Sequence, residues 1–398
     1  MANYDHFWQQ CLDSLASAGL RRRLRTVEAM DGARVRIAGR WLTDFSSNDY
    51  LGLARHPFLI ERATAWTAAW GAGSTASRLV RGNLALFDGL EAKLAAAKEC
   101  EAALVMVSGF QANASLLPAL LDARVVGADP LVFCDRLNHA SMHHGCRAAG
   151  VRQIRYDHND LDHLEGLLKK QEGRPGARFI VTETVFSMDG DQSDVPALAA
   201  LAARFGAFLY LDDAHATGVL GPEGRGLAVG YGDGVGLIMG TFGKALGGFG
   251  AYAAGSRPLR DFLINRCGGI VYATALPPAV LGAIDAALDL VPTLDAERAR
   301  VQAMAARLRR RLTAAGLSCG ASSTQIVPVL LGSEDRALRV ARGLEDAGFL
   351  GVAIRPPTVP AGTSRIRFAV NADHRDEDVD RLADAVIALA GDSACGTP

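Results

Sequence analysis

No uncharged apolar run in this chain reaches the ~18 residues that a membrane-spanning helix needs, so no membrane span is expected. The first six residues, Met1 to His6, carry no basic start followed by an apolar run, so no secretory leader is expected. An excess of one charge is missing too. Lys and Arg number 42 against 43 Asp and Glu, a net charge of −1. That balance offers nothing to nucleic acid or to an anionic membrane surface. Cysteines are few: Cys11, Cys100, Cys134, Cys146, Cys267, Cys319 and Cys395 are odd in number, scattered, and form no C-x-x-C pair. They fit free thiols in a reducing cytoplasm better than a disulfide framework. No internal repeat or low-complexity linker appears. What is left is ordinary globular composition: 398 residues, 49% of them apolar, enough for two or three structural units.

Two stretches carry chemistry. The first is Gly240-Thr241-Phe242-Gly243-Lys244-Ala245-Leu246-Gly247-Gly248. The apolar Gly236-Leu237-Ile238-Met239 leads into it and reads as a short buried strand. Gly243, Gly247 and Gly248 keep bulk away from the Lys244 ammonium, and Phe242 offers it an apolar wall. A lysine stripped of water favours its neutral, nucleophilic form, which can make a Schiff base with a carbonyl cofactor. Alone, the motif is more often a surface lysine on a glycine-rich turn.

The second stretch, Phe208-Leu209-Tyr210-Leu211-Asp212-Asp213-Ala214-His215, is an apolar strand ending in two carboxylates and an imidazole. In open α/β sheets, ligands sit at the carboxyl ends of strands. A carboxylate there can hold a pyridine nitrogen protonated, and a protonated pyridine is an electron sink. Lys244 follows Asp212 by 32 residues, and the pair supplies the two groups a pyridoxal phosphate site needs. Asp213 reads equally well as a turn or capping residue.

Further along the chain, Ala102 to Val107 is a buried-strand candidate, and Ser108-Gly109-Phe110 opens a helix with Ser108 as its N-cap. Free N–H groups at a helix start bind phosphate, which points to Gly109 and Phe110; an ordinary strand-to-helix turn fits as well. His139, His143 and His144 lack a third ligand at metal spacing, so no metal is expected. Gly71-Ala72-Gly73-Ser74-Thr75-Ala76 matches a dinucleotide pattern by letter, but a helical stretch precedes it rather than a strand. Residues 5–26 read as one amphipathic helix ended by Arg21-Arg22-Arg23, and residues 27–43 as a small hairpin. Residues 277–318 read as one or two long helices. Strand 325–331, helix 334–347 and strand 365–370 follow. The stiff Arg355-Pro356-Pro357-Thr358-Val359-Pro360 segment presents one arginine suited to a carboxylate.

Taken together, these blocks resemble the α-oxoamine synthase branch of the fold-type I pyridoxal phosphate enzymes. The blocks are Phe45-Ser46-Ser47-Asn48-Asp49-Tyr50-Leu51-Gly52-Leu53, Asp135-Arg136-Leu137-Asn138-His139-Ala140-Ser141, Val185-Phe186-Ser187-Met188-Asp189-Gly190-Asp191, Asp212-Asp213-Ala214-His215, Thr241-Phe242-Gly243-Lys244, and Ile354 to Pro360. The resemblance implies an α/β fold: a fold-type I PLP-dependent transferase with a mostly parallel central sheet flanked by helices and a smaller C-terminal α+β domain. The expected division is 1–50 for an N-terminal helix and hairpin segment, 51–285 for the large PLP-binding domain, and 286–398 for the small domain.

It also implies roles. Lys244 bonds the cofactor, Asp212 meets its ring nitrogen, His139 stacks on the ring, and His215 bonds the ring hydroxyl. Ser187 and Thr241 lie near the cofactor, and Thr274 reaches the phosphate of a partner subunit in a homodimer whose active site sits at the subunit interface. Arg21, Asn48, His139, Arg355 and Thr358 contact substrate. Two positions depart from the family: Phe87 stands where relatives often have histidine, and Ala216 where they usually have glycine. The expected reaction is a decarboxylative condensation of L-alanine with a pimeloyl thioester on coenzyme A or a carrier protein. Within the family, glycine C-acetyltransferase and 5-aminolevulinate synthase are the alternatives. The doubled proline after Arg355 and the arginines at 21 to 23 favour alanine and pimeloyl.

Overall fold

The computed structural model describes residues 4–391; Met1 to Asn3 and Cys395 lie outside that range. The six cysteines inside it are free thiols, four of them buried. The first three strands, β1 (Ala29–Asp31), β2 (Arg34–Ile37) and β3 (Arg40–Asp44), form an antiparallel meander. Next come β4 (Ala102–Met106), β5 (Leu131–Asp135), β6 (Gln153–Tyr156), β7 (Arg178–Glu183), β8 (Ala207–Asp212), β9 (Leu237–Thr241) and β10 (Ala251–Gly255). The last are β11 (Ile326–Gly332), β12 (Phe349–Leu350), β13 (Val352–Ile354) and β14 (Ser364–Ala369). Two units form. The larger holds Asn48–Ser187 and Asp191–Ala299; the other holds residues up to Ser47, Met188–Gly190, and residues from Arg300 onward.

The larger unit is built on a seven-stranded sheet in the order β4-β10-β9-β8-β7-β5-β6. β6, β5, β7, β8 and β9 run parallel, and β10 lies antiparallel to both β9 and β4. Helices on both faces explain why these strands read as continuous apolar runs rather than alternating ones: every residue of β4, β5 and β9 is buried. The chain steps from β5 outward to β6, then returns to the other side of β5 as β7. Ligand crevices in such sheets form where that reversal occurs, at the carboxyl ends of the strands. Here those ends carry Asp135, Glu183, Asp212 and Thr241. Helices Gly109–Leu120 and Ala140–Ala148 pack closely on each other because Gly145 has no side chain. A Cβ there would sit 2.4 Å from the Asn113 carbonyl oxygen.

In the other unit, β12 pairs parallel with β3, and β11-β14-β13 form a separate antiparallel sheet. Its core gathers Phe45, Leu308, Val329, Leu344, Phe368 and Val379. His374 is fully buried and stacks on Phe45 at 3.8 Å. Its Nδ1 accepts the Asn371 N–H at 3.0 Å, so its Nε2 donates to the Asp44 carbonyl, also at 3.0 Å.

Most expected elements are present, with one correction. The N-terminal helix spans only Asp5–Ser17. Gly19, at φ 66, turns left-handed, and the Gly19 and Leu20 N–H groups bond back to Ala16 and Leu15. That pattern closes a helix. Arg21, Arg22 and Arg23 therefore lie past its end and do not cap it. The 277–318 region is two helices, Pro278–Leu290 and Asp295–Ala314, split by a tight turn at Val291–Thr293 containing Pro292. The short β12 and β13, with two and three residues, were not legible as strands. Among the described residues no helix is long and apolar enough to cross a membrane.

Candidate active site

Successive side chains on a strand point to opposite faces, and the Asp212-Asp213 pair divides that way. Asp212 lines a cavity of about 310 Å³ at the carboxyl end of the sheet. Its Oδ1 accepts the Ala214 N–H at 3.1 Å and its Oδ2 accepts Asn113 Nδ2 at 2.9 Å. Asp213 is fully buried behind it. It accepts Lys98 Nζ at 3.1 Å, the Thr184 and Thr217 hydroxyls at 2.8 Å each, and the Leu227 N–H at 3.0 Å. Asp213 thus anchors the loop after β8 and is no part of the cavity.

β9 delivers Thr241 to the cavity rim, and Lys244 follows on the next turn; both line the same space as Asp212. Phe242 does not form the expected wall. It is fully buried and packs on Tyr252 at 5.5 Å between ring centres. The apolar lining comes instead from Met239, Phe249 and Phe110. Gly243 stands beside Lys244 in the lining.

His139 sits just past β5 as the N-cap of helix Ala140–Ala148. Its main-chain N–H donates to Glu183 Oε1 at 2.5 Å, and its Nδ1 lies 2.7 Å from Ser141 Oγ. Burial, aided by the Lys244 charge, lowers its pKa; the Asp212 carboxylate works against that shift. Glu183 closes the floor. Burial first, and the Asp212 charge second, raise its pKa well above its ordinary value. His215 lines the opposite side, with its Nδ1 2.7 Å from the buried Tyr50 hydroxyl, which also reaches Asn48 Oδ1 at 3.2 Å.

The far end of the cavity suits a phosphate. Gly109 and Phe110 begin a twelve-residue helix whose N-cap, Ser108, accepts the Gln111 N–H at 3.3 Å. First-turn N–H groups there have no helical partner and carry the positive end of the helix dipole. Beside them, Thr241 Oγ1 is buried and has no hydrogen-bond partner among the described residues. A Cβ on Gly109 would come within 2.5 Å of Thr241 Cγ2, so the cradle needs glycine at that point. An amine at Lys244, an acid at Asp212, a neutral imidazole at His139 and an anion cradle at Gly109 fit pyridoxal phosphate from end to end.

Eight of the residues singled out in the sequence therefore meet: Lys244, His139, Asp212, His215, Gly109, Phe110, Thr241 and Asn48. Ser187 is buried on the loop after β7 and does not line the cavity. That loop is latched by His158, whose ring nitrogens reach Asp135 at 3.0 Å and Asp191 at 2.8 Å. Burial opposes its charge, but the two carboxylates outweigh burial and push its pKa up to about 10. Thr274 pairs with Ser77 in an isolated bridge elsewhere in the larger unit. Arg21, Arg355 and Thr358 belong to the other unit. There, Arg355 donates to the Gly19 carbonyl, and Arg22 Nη2 to the Pro356 carbonyl at 3.5 Å, which ties the arginine run to the proline-rich segment. Asn113, Ser141 and Glu183 escaped the sequence reading. Asn113 lies one helical turn after Gly109 and so shares its face, a signal that could have found it.

The family model for aminotransferase class I and II matches residues 41–386. An 8-amino-7-oxononanoate synthase from Gluconacetobacter diazotrophicus is 60% identical over 388 residues, 97% of each chain. The chain belongs to the 8-amino-7-oxononanoate synthases. A second member, from Geobacter sulfurreducens, is 48% identical over 95% of this chain and 96% of its own. The solved serine palmitoyltransferase of S. paucimobilis with bound PLP superposes at a TM-score of 0.89, with 26% identity and 98% of each chain covered. Family and fold agree with the cavity: the chain is a pyridoxal phosphate enzyme on a fold-type I α/β scaffold.

Proposed function

We propose that this chain condenses L-alanine with a pimeloyl thioester to give 8-amino-7-oxononanoate, carbon dioxide and free thiol, a step of biotin biosynthesis. The observation that carries the reading is that Lys244 and Asp212 line one cavity, in a chain 60% identical to a named synthase of that product. Pyridoxal phosphate supplies an aldehyde for the Lys244 amine and a ring that draws negative charge away from the amino acid's α-carbon. The Lys244 amine then takes the alanine α-proton. Asp212, turned by Asn113 and Ala214, keeps a pyridine nitrogen protonated. His139 covers the ring face, His215 with Tyr50 holds the ring hydroxyl, and Thr241 stands beside the phosphate. Gly109 and Phe110 hold the phosphate through main-chain N–H groups. Asn48, Arg355 and Thr358 orient alanine, and Arg21 takes the distal carboxylate of the pimeloyl chain. In a homodimer, Thr274 of a second copy completes the phosphate site. The setting we assign is the cytoplasm, with coenzyme A or a carrier protein as acyl carrier.

The decisive experiment incubates the loaded protein with alanine and pimeloyl thioester and identifies the product by mass. Glycine, acetyl and succinyl thioesters serve as competitors. Lys244→Ala should abolish product and the borohydride-sensitive visible band; product formation surviving that substitution would reject the role given to Lys244.

A further inference from the structure

The cavity's polar groups are joined by a chain of hydrogen bonds whose directions can be worked out one at a time. Asn113 is 1% exposed and sits at the centre. The Tyr210 hydroxyl reaches its Oδ1 at 2.6 Å, and its Nδ2 lies 2.9 Å from both Asp212 Oδ2 and Ser141 Oγ. A flipped amide would set two oxygens against each other at Asp212, so the orientation is fixed. The Ser141 oxygen is thereby an acceptor towards Asn113. Its hydroxyl proton is left for His139 Nδ1 at 2.7 Å, and the Ser141 main-chain N–H points at the same nitrogen from 3.3 Å. Two donors converge on Nδ1, which must present its lone pair.

We propose that Asn113 and Ser141 are positioning residues that hold His139 as the Nε2–H tautomer, making its imidazole a hydrogen-bond donor towards a substrate oxygen in the cavity. The substrate group this fits is a carboxylate, here that of alanine, so the inference rests on the reading given above. The charged and titratable groups around the ring are Asp212, Lys244, His143 and Glu183. Burial and the Lys244 charge keep the ring neutral near pH 7, against the pull of Asp212. A neutral ring with Nδ1 tied has one N–H to offer, and that N–H is on Nε2. Asp212 and His139 then share one amide as their common reference. The acid meant for the ring nitrogen and the imidazole meant for the ring face cannot turn independently.

The test uses loaded protein labelled with ¹⁵N-histidine, with His139→Asn as the control that identifies the His139 signals among nine histidines. At pH 7 the wild-type ring should show a protonated Nε2 and a bare Nδ1. Ser141→Ala should give a mixture of tautomers and weaken alanine binding about tenfold, the weight of one hydrogen bond, with pyridoxal phosphate affinity little changed. Asn113→Leu should mix the tautomers as well and also loosen the cofactor, because Asp212 loses a donor. A proton on Nδ1 in the wild type would overturn the proposal. So would Ser141→Ala with wild-type tautomer and alanine affinity, and that variant decides the matter if Asn113→Leu does not fold. If wild-type protein fails to bind alanine, the substrate reading falls, while the ¹⁵N signals still judge the tautomer.

Discussion

Lys98→Met should destabilise the larger unit by about 3–5 kcal/mol. Lys98 and Asp213 are 3% and 0% exposed, with Nζ 3.1 Å from Oδ2. At that distance and an effective dielectric of about 20, their attraction is about 5 kcal/mol, set against the cost of burying both ions. Methionine keeps most of the volume but leaves the carboxylate buried with neutral donors only. It also strips the Thr217 hydroxyl of its 2.9 Å partner and the Arg225 carbonyl of its donor. Breaking one side of such a pair costs about 3–5 kcal/mol. The assay is urea unfolding followed by circular dichroism at fixed pyridoxal phosphate concentration, since ligand binding shifts the midpoint. Adding Asp213→Asn to Lys98→Met should restore part of the loss, with a coupling of at least about 2 kcal/mol. A loss below about 1 kcal/mol in the single variant, or strict additivity in the double, would refute the claim that Lys98 neutralises Asp213.

Gly109→Ala should weaken pyridoxal phosphate binding at least about tenfold, because the new methyl meets Thr241 Cγ2 at 2.5 Å; Gly109→Ala with Thr241→Ser removes that carbon and should recover much of the affinity in an absorbance titration. His374 should make the protein acid-sensitive. Burial lowers its pKa to about 4, so the unfolded chain takes up its proton first as pH falls below 6.5. Stability present above pH 6.5 should therefore drop by roughly 3 kcal/mol on the way to pH 4, and His374→Gln should flatten that slope in thermal melts. Glu183, with its pKa raised by burial, has the opposite sign: the unfolded chain releases its proton above about 4.5 while the folded chain keeps it. Glu183→Gln should accordingly gain stability relative to wild type at pH 8 more than at pH 5.

The fold was legible where the chemistry is local. Strands β4, β5, β7, β8 and β9 announce themselves as short apolar runs, and their buried faces explain why. The N-terminal helix was overread because Leu20 continues its apolar spacing, whereas Gly19 ends it by backbone geometry that spacing does not report. Two- and three-residue strands such as β12 and β13 exist through their partners, β3 and β14, and carry too few residues for a pattern. The site was legible in its reactive groups: Lys244, Asp212, His139 and His215 each stand at or just past the end of a strand with a residue type that demands a reason. Asn113 and Ser141 are ordinary helix residues by type. Their importance comes from the groups they meet, Tyr210 and Asp212 for Asn113 and His139 for Ser141, and a single sequence does not display that.

The Asp212-Asp213 pair shows the limit most sharply. The letters are the same and the two are neighbours at the end of β8, so composition, propensity and charge treat them alike. Alternation along the strand sends them to opposite sides, yet it does not say which side is the cavity. That is decided by two distant residues: Asn113, brought by a helix that starts at the phosphate cradle, and Lys98, brought from before β4. Moving the register of β8 by one residue would exchange Asp212 for Asp213 beside Asn113, with Asp212 carried to the place of Leu211. What excludes that exchange is the packing of β8 itself. Leu209 and Leu211 are buried on one face and Tyr210 on the other, where its hydroxyl reaches Asn113. A slipped strand would place leucine where Asn113 needs that donor. The identity of the acid that meets the cofactor is therefore held by a tyrosine two residues before it.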